Sequence, residues 1–374
     1  MVVATNIAEV SITIEGIVFV IDAGLFKQSV YHSQAHLSSL RPIKITKVQA
    51  KQRAGRVGRT QPGVVHRLYS ERDYNKMKNN LRPEILRSSL ESTVMTLAAH
   101  KVEHFEKFDF MDPPKPEDIK KAVIALQELG ALDLKTNELT PVGRLMARIP
   151  LEPRLAKTLL TSIELECTED MLTIVSIVSA NSSGKRVFYK LDSTLADAPT
   201  SVLEAGDHIA LLEAYKIVSR FQNSRDWCYW NYVNFFGFQE VLCIRSQLAS
   251  VLRNFCDAPP PSKVKQAVDP EKIYKCILSG FFFNIACKAD SEKGLGAAYK
   301  RFPNKKKNES VYIHPGSILF HVSSPDWVIY QEVVKNKSVP YMRNVIPVKP
   351  EWIQELVPEF YNRFHQAFPP APAN

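Results

Sequence analysis

Gln52-Arg53-Ala54-Gly55-Arg56-Val57-Gly58-Arg59-Thr60 is the stretch on which the reading of this chain turns. Its arginines recur every third residue, so on a helix they would share one side. The glycines between them permit close backbone approach to a ligand. Arginine keeps its charge at any physiological pH and presents a planar fork that fits phosphate oxygens. A phosphoryl group in transfer spreads negative charge over its oxygens, and a positioned guanidinium can raise the rate by about 10³–10⁵. A solvated basic helix end is the competing explanation, and it suits a lone Arg-x-x-Arg better than the full string.

The flanks of the motif read as α/β structure. Val2-Val3-Ala4-Thr5-Asn6 reads as the end of a buried strand running into a polar loop. Ile17 to Ile21 is a continuous apolar run ended by Asp22-Ala23-Gly24, the pattern of a parallel strand covered on both faces. Lys27 to Thr46 alternates loosely and predicts an extended hairpin. Lys47 to Gly58 starts as a helix with the arginine motif at its end, and Val64 to Tyr69 is another short strand. Residues 1–82 therefore read as the last part of an α/β domain.

From Pro83 the texture changes. Ser88–His100 and Pro116–Leu129 predict two helices, the second capped by Gly130. A turn and an extended segment after Leu139-Thr140-Pro141 suit a small winged-helix domain over 83–150. Residues 151–257 are mostly helical, with helices expected at Leu155–Glu164, Glu169–Ala180, His208–Arg220 and Trp227–Arg253. The proline run Pro259-Pro260-Pro261 marks a boundary. After a helix at Pro270–Leu278, strands at Val311–His314, Ile318–His321 and Trp327–Val334 indicate a small β-barrel or sandwich over 258–362. Residues 363–374 read as a disordered tail. The fold class is thus multidomain, with α/β, α and β parts in succession.

Charge supports a polyanion partner. The net charge of +9 is concentrated, because the window Phe26–Arg82 holds 13 Lys/Arg against two acids, Glu71 and Asp73. That window carries +11, so the rest of the chain sums to −2. A nucleic-acid surface and a solvated basic face both fit such a block. No apolar run reaches the roughly 18 residues of a membrane span, and no secretory signal pattern opens the chain. The six cysteines are widely spaced with no Cys-x-x-Cys pair. That pattern argues against a zinc site or a dense disulfide framework, fits a reducing compartment, and assigns no metal ligand.

The arginine string closely resembles motif VI of superfamily 2 helicases of the DEAH class. Thr5 to Gly16 resembles motif V of the same class. The likeness continues through Phe108-Asp109-Phe110-Met111-Asp112-Pro113-Pro114, Leu139 to Arg144, Gly206-Asp207-His208, Ser279-Gly280-Phe281-Phe282, Ile313-His314-Pro315-Gly316-Ser317 and Trp327 to Tyr330. It covers roughly residues 2–362 and is similar above all to the mRNA-release type of the pre-mRNA-splicing DEAH-box RNA helicases.

This resemblance implies a partial second RecA-like domain, a winged helix, a helical ratchet bundle and an OB-like barrel. It also implies roles. Gln52 would help place the attacking water, and Arg56 and Arg59 would be arginine fingers on the β- and γ-phosphates. Ser11, Thr13 and Glu15 would lie near the nucleotide. Thr5 and Asn6 would touch the RNA backbone, and Lys27 opens the hairpin that separates strands or holds the RNA stack. Glu15 stands where the family usually has Asp, Val10 for a threonine, Val57 for an alanine, and Phe236 for an arginine of the long ratchet helix.

Weaker candidates accompany these. The aromatic run Trp227, Tyr229, Trp230, Tyr232, Phe235, Phe236 and Phe238 is expected to pack in a core rather than to stack on bases. His208 is expected to be a satisfied structural histidine. Lys300, Arg301, Lys305, Lys306 and Lys307 form a basic loop that fits nucleic acid and solvent about equally well.

No segment reads as a phosphate-cradling G-x-x-x-x-G-K-[ST] loop, and there is no DEAH box. The resemblance puts both in a preceding domain and makes the α/β part here incomplete, with an open edge. Two functions follow. One is the C-terminal part of an ATP-dependent RNA helicase coupling ATP hydrolysis to RNA translocation, with ATP and Mg²⁺ as cofactors of the intact enzyme. The other is a non-catalytic RNA- or protein-binding module. Expected partners are RNA, a glycine-rich-patch activator protein and spliceosomal proteins, with no membrane. The expected location is the nucleus, or alternatively the cytoplasm.

Overall fold

A computed structural model describes residues 1–9, 15–32, 37–58, 61–182, 186–221, 224–255, 268–289, 297–302, 310–336 and 339–364. It divides into two compact units, residues 1–89 with 110–115, and residues 90–109 with 116–374.

In the first unit, β1 (Phe19–Asp22) runs to β2 (Leu25–His32) and β3 (Leu37–Lys44), then α1 (Lys47–Ala54), β4 (Val64–Arg67) and α2 (Glu71–Lys76). β1 pairs in parallel with β4, Phe19 opposite Val64 and Asp22 opposite Arg67. A parallel pair needs a long crossover, and here it is the β2–β3 hairpin, antiparallel with Leu25 opposite Lys44, followed by α1. Thr46 starts α1 as a capping box. Its hydroxyl accepts from Gln49 N at 3.2 Å, and its own N–H donates to Gln49 Oε1 at 3.1 Å. Ile45, Ala50 and Met77 form a small core with Phe26, Tyr69 and Tyr74 packed against it.

Two strand expectations change here. Residues 1–5 are exposed and outside any strand, and a 3₁₀ turn, Asn6–Glu9, follows them. A strand needs a pairing neighbour, and no described strand lies beside this segment. β1 is parallel as expected but not covered on both faces, because Phe19 and Ile21 are exposed. β4 flanks it on one side only.

The second unit begins with α3 (Glu91–Ala99), α4 (Pro116–Glu128) and α5 (Pro141–Met146). After the left-handed Gly130 (φ 72°), Leu132 bridges antiparallel to Leu139. Thr140 then caps a helix, where an extended segment was expected, by accepting from Gly143 N at 3.0 Å. α6 (Pro153–Glu164), α7 (Thr168–Ser182), α8 (Leu191–Thr194), α9 (Thr200–Glu204), α10 (Asp207–Arg220), α11 (Arg225–Trp230) and α12 (Phe235–Phe255) follow. The predicted single helix Trp227–Arg253 is two helices. Tyr232 takes φ 58° and breaks the ladder between them.

α13 (Pro270–Phe281) leads into a closed barrel of order β5-β6-β7-β9-β8. Its strands are β5 (Ile285–Lys288), β6 (Ala298–Phe302), β7 (Ser310–Ile313), β8 (Trp327–Asn336) and β9 (Val339–Pro347). The expected strand Ile318–His321 is instead the short helix α14 (Leu319–Val322), because Ile318 N and Ser317 Oγ are drawn to a carboxylate of α10. α15 (Pro350–Leu356) and α16 (Pro358–Phe364) close the unit. The proline run 259–261 and the loop lysines 305–307 lie outside the described residues, as do 365–374 of the expected tail, whose first two residues instead end α16.

Candidate functional site: a buried arginine joint beside the motif

The helical part of the arginine motif ends at Ala54, so Arg53 and Arg56 do not share one helix face. Gly55 caps α1, its N–H donating to Lys51 O at 2.8 Å, and Arg56 N follows to Arg53 O at 3.2 Å. Gly58, at φ 77°, turns the chain away. Arg59 and Thr60 lie outside the described residues.

Arg53 points inward. Its Nε donates to Glu9 Oε1 at 2.8 Å, its Nη1 to Asp22 Oδ1 at 2.7 Å, and its Nη2 to Leu25 O at 3.1 Å. Gln49, one turn earlier on α1, donates from Nε2 to Glu9 Oε2 at 3.2 Å. Asp22 also accepts from Gly24 N at 2.9 Å and from the Tyr69 hydroxyl at 2.9 Å. Gly24 sits at φ 71°, and a Cβ there would stand 2.6 Å from the Tyr69 ring. Burial raises the Tyr69 hydroxyl to about 12, reinforced by its hydrogen bond to Asp22. Burial opposes the Arg53 charge, but the hydrogen bonds to Asp22 and Glu9 outweigh it and the pKa is raised. Two carboxylates on one guanidinium neutralise it fully, so Arg53 carries no spare charge for a phosphate.

The joint was missed in the sequence, since its partners lie 44 and 31 residues from Arg53. The available signal was Glu9 and Asp22 themselves, two acids bordering a strongly basic block.

The other predicted residues fall as follows. Gln52 and Arg56 are half-buried neighbours at the end of α1, with Arg56 Nε 3.4 Å from Gln52 O. Thr5 and Asn6 are exposed at the start of the turn that Glu9 anchors. Glu15 is exposed in a turn with Gly16, and Lys27 is exposed on β2 opposite Pro42. Ser11 and Thr13 lie outside the described residues, as does Val10. Gln49 and Arg53 thus bind the Asn6–Glu9 turn to the helix that carries Gln52, while Glu15 and Lys27 stand apart from this joint. The nearest carboxylates, Glu9 and Asp22, are committed to Arg53, so the joint offers no free acid for Mg²⁺.

In the second unit the Gly206-Asp207-His208 string proves to be a latch between α10 and the barrel. Asp207 Oδ1 accepts from Ser317 Oγ at 2.8 Å and Ile318 N at 2.9 Å, and Oδ2 accepts from Val345 N at 2.7 Å. Gly206, at φ 88°, lets the backbone pass where a Cβ would meet Val345 O at 2.7 Å. His208 is wholly buried but not satisfied, since neither ring nitrogen has a hydrogen-bond partner among the described residues. Burial pushes it down to about 4, with the Gln331 amide acting weakly the other way from outside bonding geometry.

The aromatic run does not form one core. Phe238 is buried, but Tyr229, Trp230, Tyr232 and Phe236 are exposed, the first two by 74% and 76%. α11 has only six residues and turns Cys228 inward, leaving the next two side chains outside. Cations border this surface: Lys190 Nζ lies 4.5 Å from the Tyr232 ring centre, and the Arg225 guanidinium 5.7 Å from that of Phe236. Positive charge therefore stands beside position 236 even though the residue there is phenylalanine.

The second unit matches three domain families in chain order: the winged-helix helicase-associated domain (HA2) at 122–151, its ratchet-like part at 152–211, and an oligonucleotide/oligosaccharide-binding (OB) fold at 273–361. The class is that of helicase C-terminal regions, and the five-stranded barrel is the OB-like element. Beyond these domains, the chain is 36% identical over 97% of its length to the mouse ATP-dependent RNA helicase DHX33, covering 50% of that protein. It is 37% identical over 96% of its length to the pre-mRNA-splicing factor ATP-dependent RNA helicase prp22 of Schizosaccharomyces pombe, covering 30% of it. The chain belongs to the DEAH-box helicases and corresponds to their C-terminal portion. It spans half or less of the length of these relatives. Among the described residues, no helix is long and apolar enough to cross a membrane.

Proposed function

We propose that this chain supplies the RNA-binding and nucleotide-sensing half of an ATP-dependent RNA helicase. The first unit is the end of a second RecA-like domain, its motif V turn touching RNA and its motif VI arginines touching ATP. Gln52 orients the attacking water, and Arg56 and Arg59 stabilise charge on the β- and γ-phosphates. Thr5, Asn6 and Lys27 contact the RNA backbone, which fixes register without reading sequence. Ser11, Thr13 and Glu15 border the nucleotide. The domain limits are 1–82, 83–150, 151–257 and 258–362.

The observation that carries this reading is the Glu9–Arg53 joint. It binds the turn bearing Asn6 to the helix bearing Gln52, so displacement at the RNA side is transmitted to the phosphate side. Mg²⁺ and the phosphate-cradling loop belong to the partner domain, which would supply the metal's charge when nucleotide is bound. The likeness to a splicing factor favours a nuclear role in pre-mRNA splicing, with a glycine-rich-patch protein as activator.

The test is twofold. The 374-residue chain should bind single-stranded RNA with an affinity that falls steeply with salt, and it should not turn over ATP. Absence of RNA binding at low salt sinks the RNA reading, and RNA-stimulated ATP hydrolysis by the chain alone sinks the division of labour. RNA binding with no turnover even after a Walker-bearing first domain is joined to it would favour the second reading, a non-catalytic module built on the closed barrel.

A further inference from the structure

Cys167 and Cys276 lie 109 residues apart in sequence, yet their sulfurs stand 3.4 Å apart in the second unit. Cys276 is fully buried in α13, and Cys167 is half-buried at the start of α7. Both residues are seated on packed helices. Cys167 N donates to Ser162 O at 3.0 Å, and its carbonyl accepts from Met171 N at 3.1 Å, so it occupies the N-terminal cap of a fifteen-residue helix. α13 is held to α6 by Ser279 Oγ, 3.0 Å from Thr161 Oγ1. Gly280 lies so close to α6 that a Cβ would meet Arg154 O at 2.3 Å.

We propose that Cys167 and Cys276 form a reversible, peroxide-sensitive disulfide that ties the ratchet-like segment to the helix leading into the barrel. The two thiols are not equivalent. The hydrogen bond from Cys276 lowers the Cys167 thiol against its partial burial; Lys272 assists, and Asp170 and Asp269 oppose. Cys276 is pushed up, first by that same hydrogen bond and then by burial. The helix N-terminus also favours a thiolate at Cys167. Cys167 is the more accessible sulfur and the attacking one, and Cys276 is the resolving thiol. A disulfide needs a sulfur separation of about 2.05 Å, a closure of roughly 1.4 Å from the observed 3.4 Å.

The step balances. The Cys167 thiolate attacks hydrogen peroxide, forming a sulfur–oxygen bond as the oxygen–oxygen bond breaks, and the hydroxide released becomes water. Cys276 then loses its proton and attacks the sulfenic sulfur. The displaced hydroxide takes that proton as a second water, and two thiols have given two electrons to one peroxide. In a reducing compartment such a bond is transient, which is the usual character of disulfides there.

The experiment treats the full 374-residue chain with hydrogen peroxide below one equivalent per thiol, alkylates it, and maps peptides without reduction. The expected product is a linked Cys167–Cys276 peptide pair, lighter by two hydrogens and restored by dithiothreitol. It should form before modification of Cys243, which is more exposed. The thermal midpoint should rise on oxidation. C167S should abolish both the link and the shift, since serine is a preferred cap and preserves the fold; C243S should retain both. Oxidation of Cys243 ahead of Cys167, or conversion of Cys167 to sulfinic acid with no link, overturns the proposal.

Discussion

Arg53 closes on Glu9 with Nη2 2.7 Å from Oε1, and together with Gln49 that ion pair ties the Asn6–Glu9 turn to α1. The side chains are only 16% and 8% exposed, and Asp22, the second partner, is 1% exposed. Breaking a buried pair leaves two carboxylates without their cation, a cost of about 3–5 kcal/mol. R53A should therefore unfold the first unit at markedly lower urea. R56A should lower the urea midpoint less than R53A does and, on the function proposed above, act on ATP turnover of the intact helicase. Equal urea midpoints for R53A and the native chain would refute the assignment of Arg53 to structure.

Asp207 predicts a graded pair of effects. Asparagine keeps an acceptor for Ser317 Oγ and Ile318 N but turns an amide toward Val345 N, which then loses its partner. One buried donor left unsatisfied costs about 1–3 kcal/mol. D207A removes all three hydrogen bonds and should cost more. Guanidinium unfolding of the second unit reads both, and a D207N midpoint equal to the native value would count against the latch.

The two depressed histidines set an acid limit. His208 and His314 are both pushed down from 6.5 to about 4, His208 chiefly by burial, His314 by burial and then by Arg343 and Arg186. Each folded-state pKa lies below its unfolded value, so the unfolded chain binds more protons between these limits. Stability from these groups is complete above pH 6.5 and is lost as pH falls toward 4. For fully buried His208 the full loss is about 3 kcal/mol. H208Q should flatten the fall in unfolding free energy between pH 6.5 and 4, and an unchanged slope would rule His208 out as its source.

Much of this was legible from local pattern. The hairpin, the helix starting at Lys47, the Gly130 stop and the short strands that became β1 and β4 all rest on neighbours within a few residues or on apolar runs. What the local pattern could not carry were the long-range commitments. Arg53 looked like one of three equivalent arginines, and only the fold brings Glu9 and Asp22 to it. Ile318–His321 looked like a strand because its turn is imposed by Asp207, more than a hundred residues earlier. The break at Tyr232 has no glycine or proline to announce it. The aromatic run read as core because aromatic density does not reveal that α11 stops after six residues.

Close helix approach at Gly280 gives a further outcome. A Cβ there would sit 2.3 Å from both Arg154 O and Thr158 Oγ1, atoms of a helix backbone and a hydrogen-bonded hydroxyl that cannot simply swing aside. Overpacking of this kind costs about 1–3 kcal/mol. G280A should lower the thermal midpoint of the second unit, whereas an alanine at Gly316, whose nearest neighbour would be a His314 ring atom at 3.2 Å, should cost less. A G280A midpoint no lower than that of G316A would contradict the packing described.

The exposed aromatics carry the last prediction. Tyr229 and Trp230 meet edge to face at 5.3 Å with three-quarters of each side chain open to solvent, a cost that core packing does not explain. On the same aromatic run, Lys190 lies over the exposed Tyr232 ring and Arg225 over that of Phe236. Exposed rings flanked by cations suit unpaired bases, which stack with little regard to sequence at about 1–3 kcal/mol per base. W230A should therefore weaken binding of a single-stranded oligonucleotide by roughly 5- to 150-fold in fluorescence anisotropy, with the thermal midpoint unchanged because the side chain supports no core. Salt should shift native and variant affinities in parallel, since stacking releases no counterions. An affinity for RNA within twofold of native would take Trp230 out of the RNA path and leave this face without a nucleic-acid role.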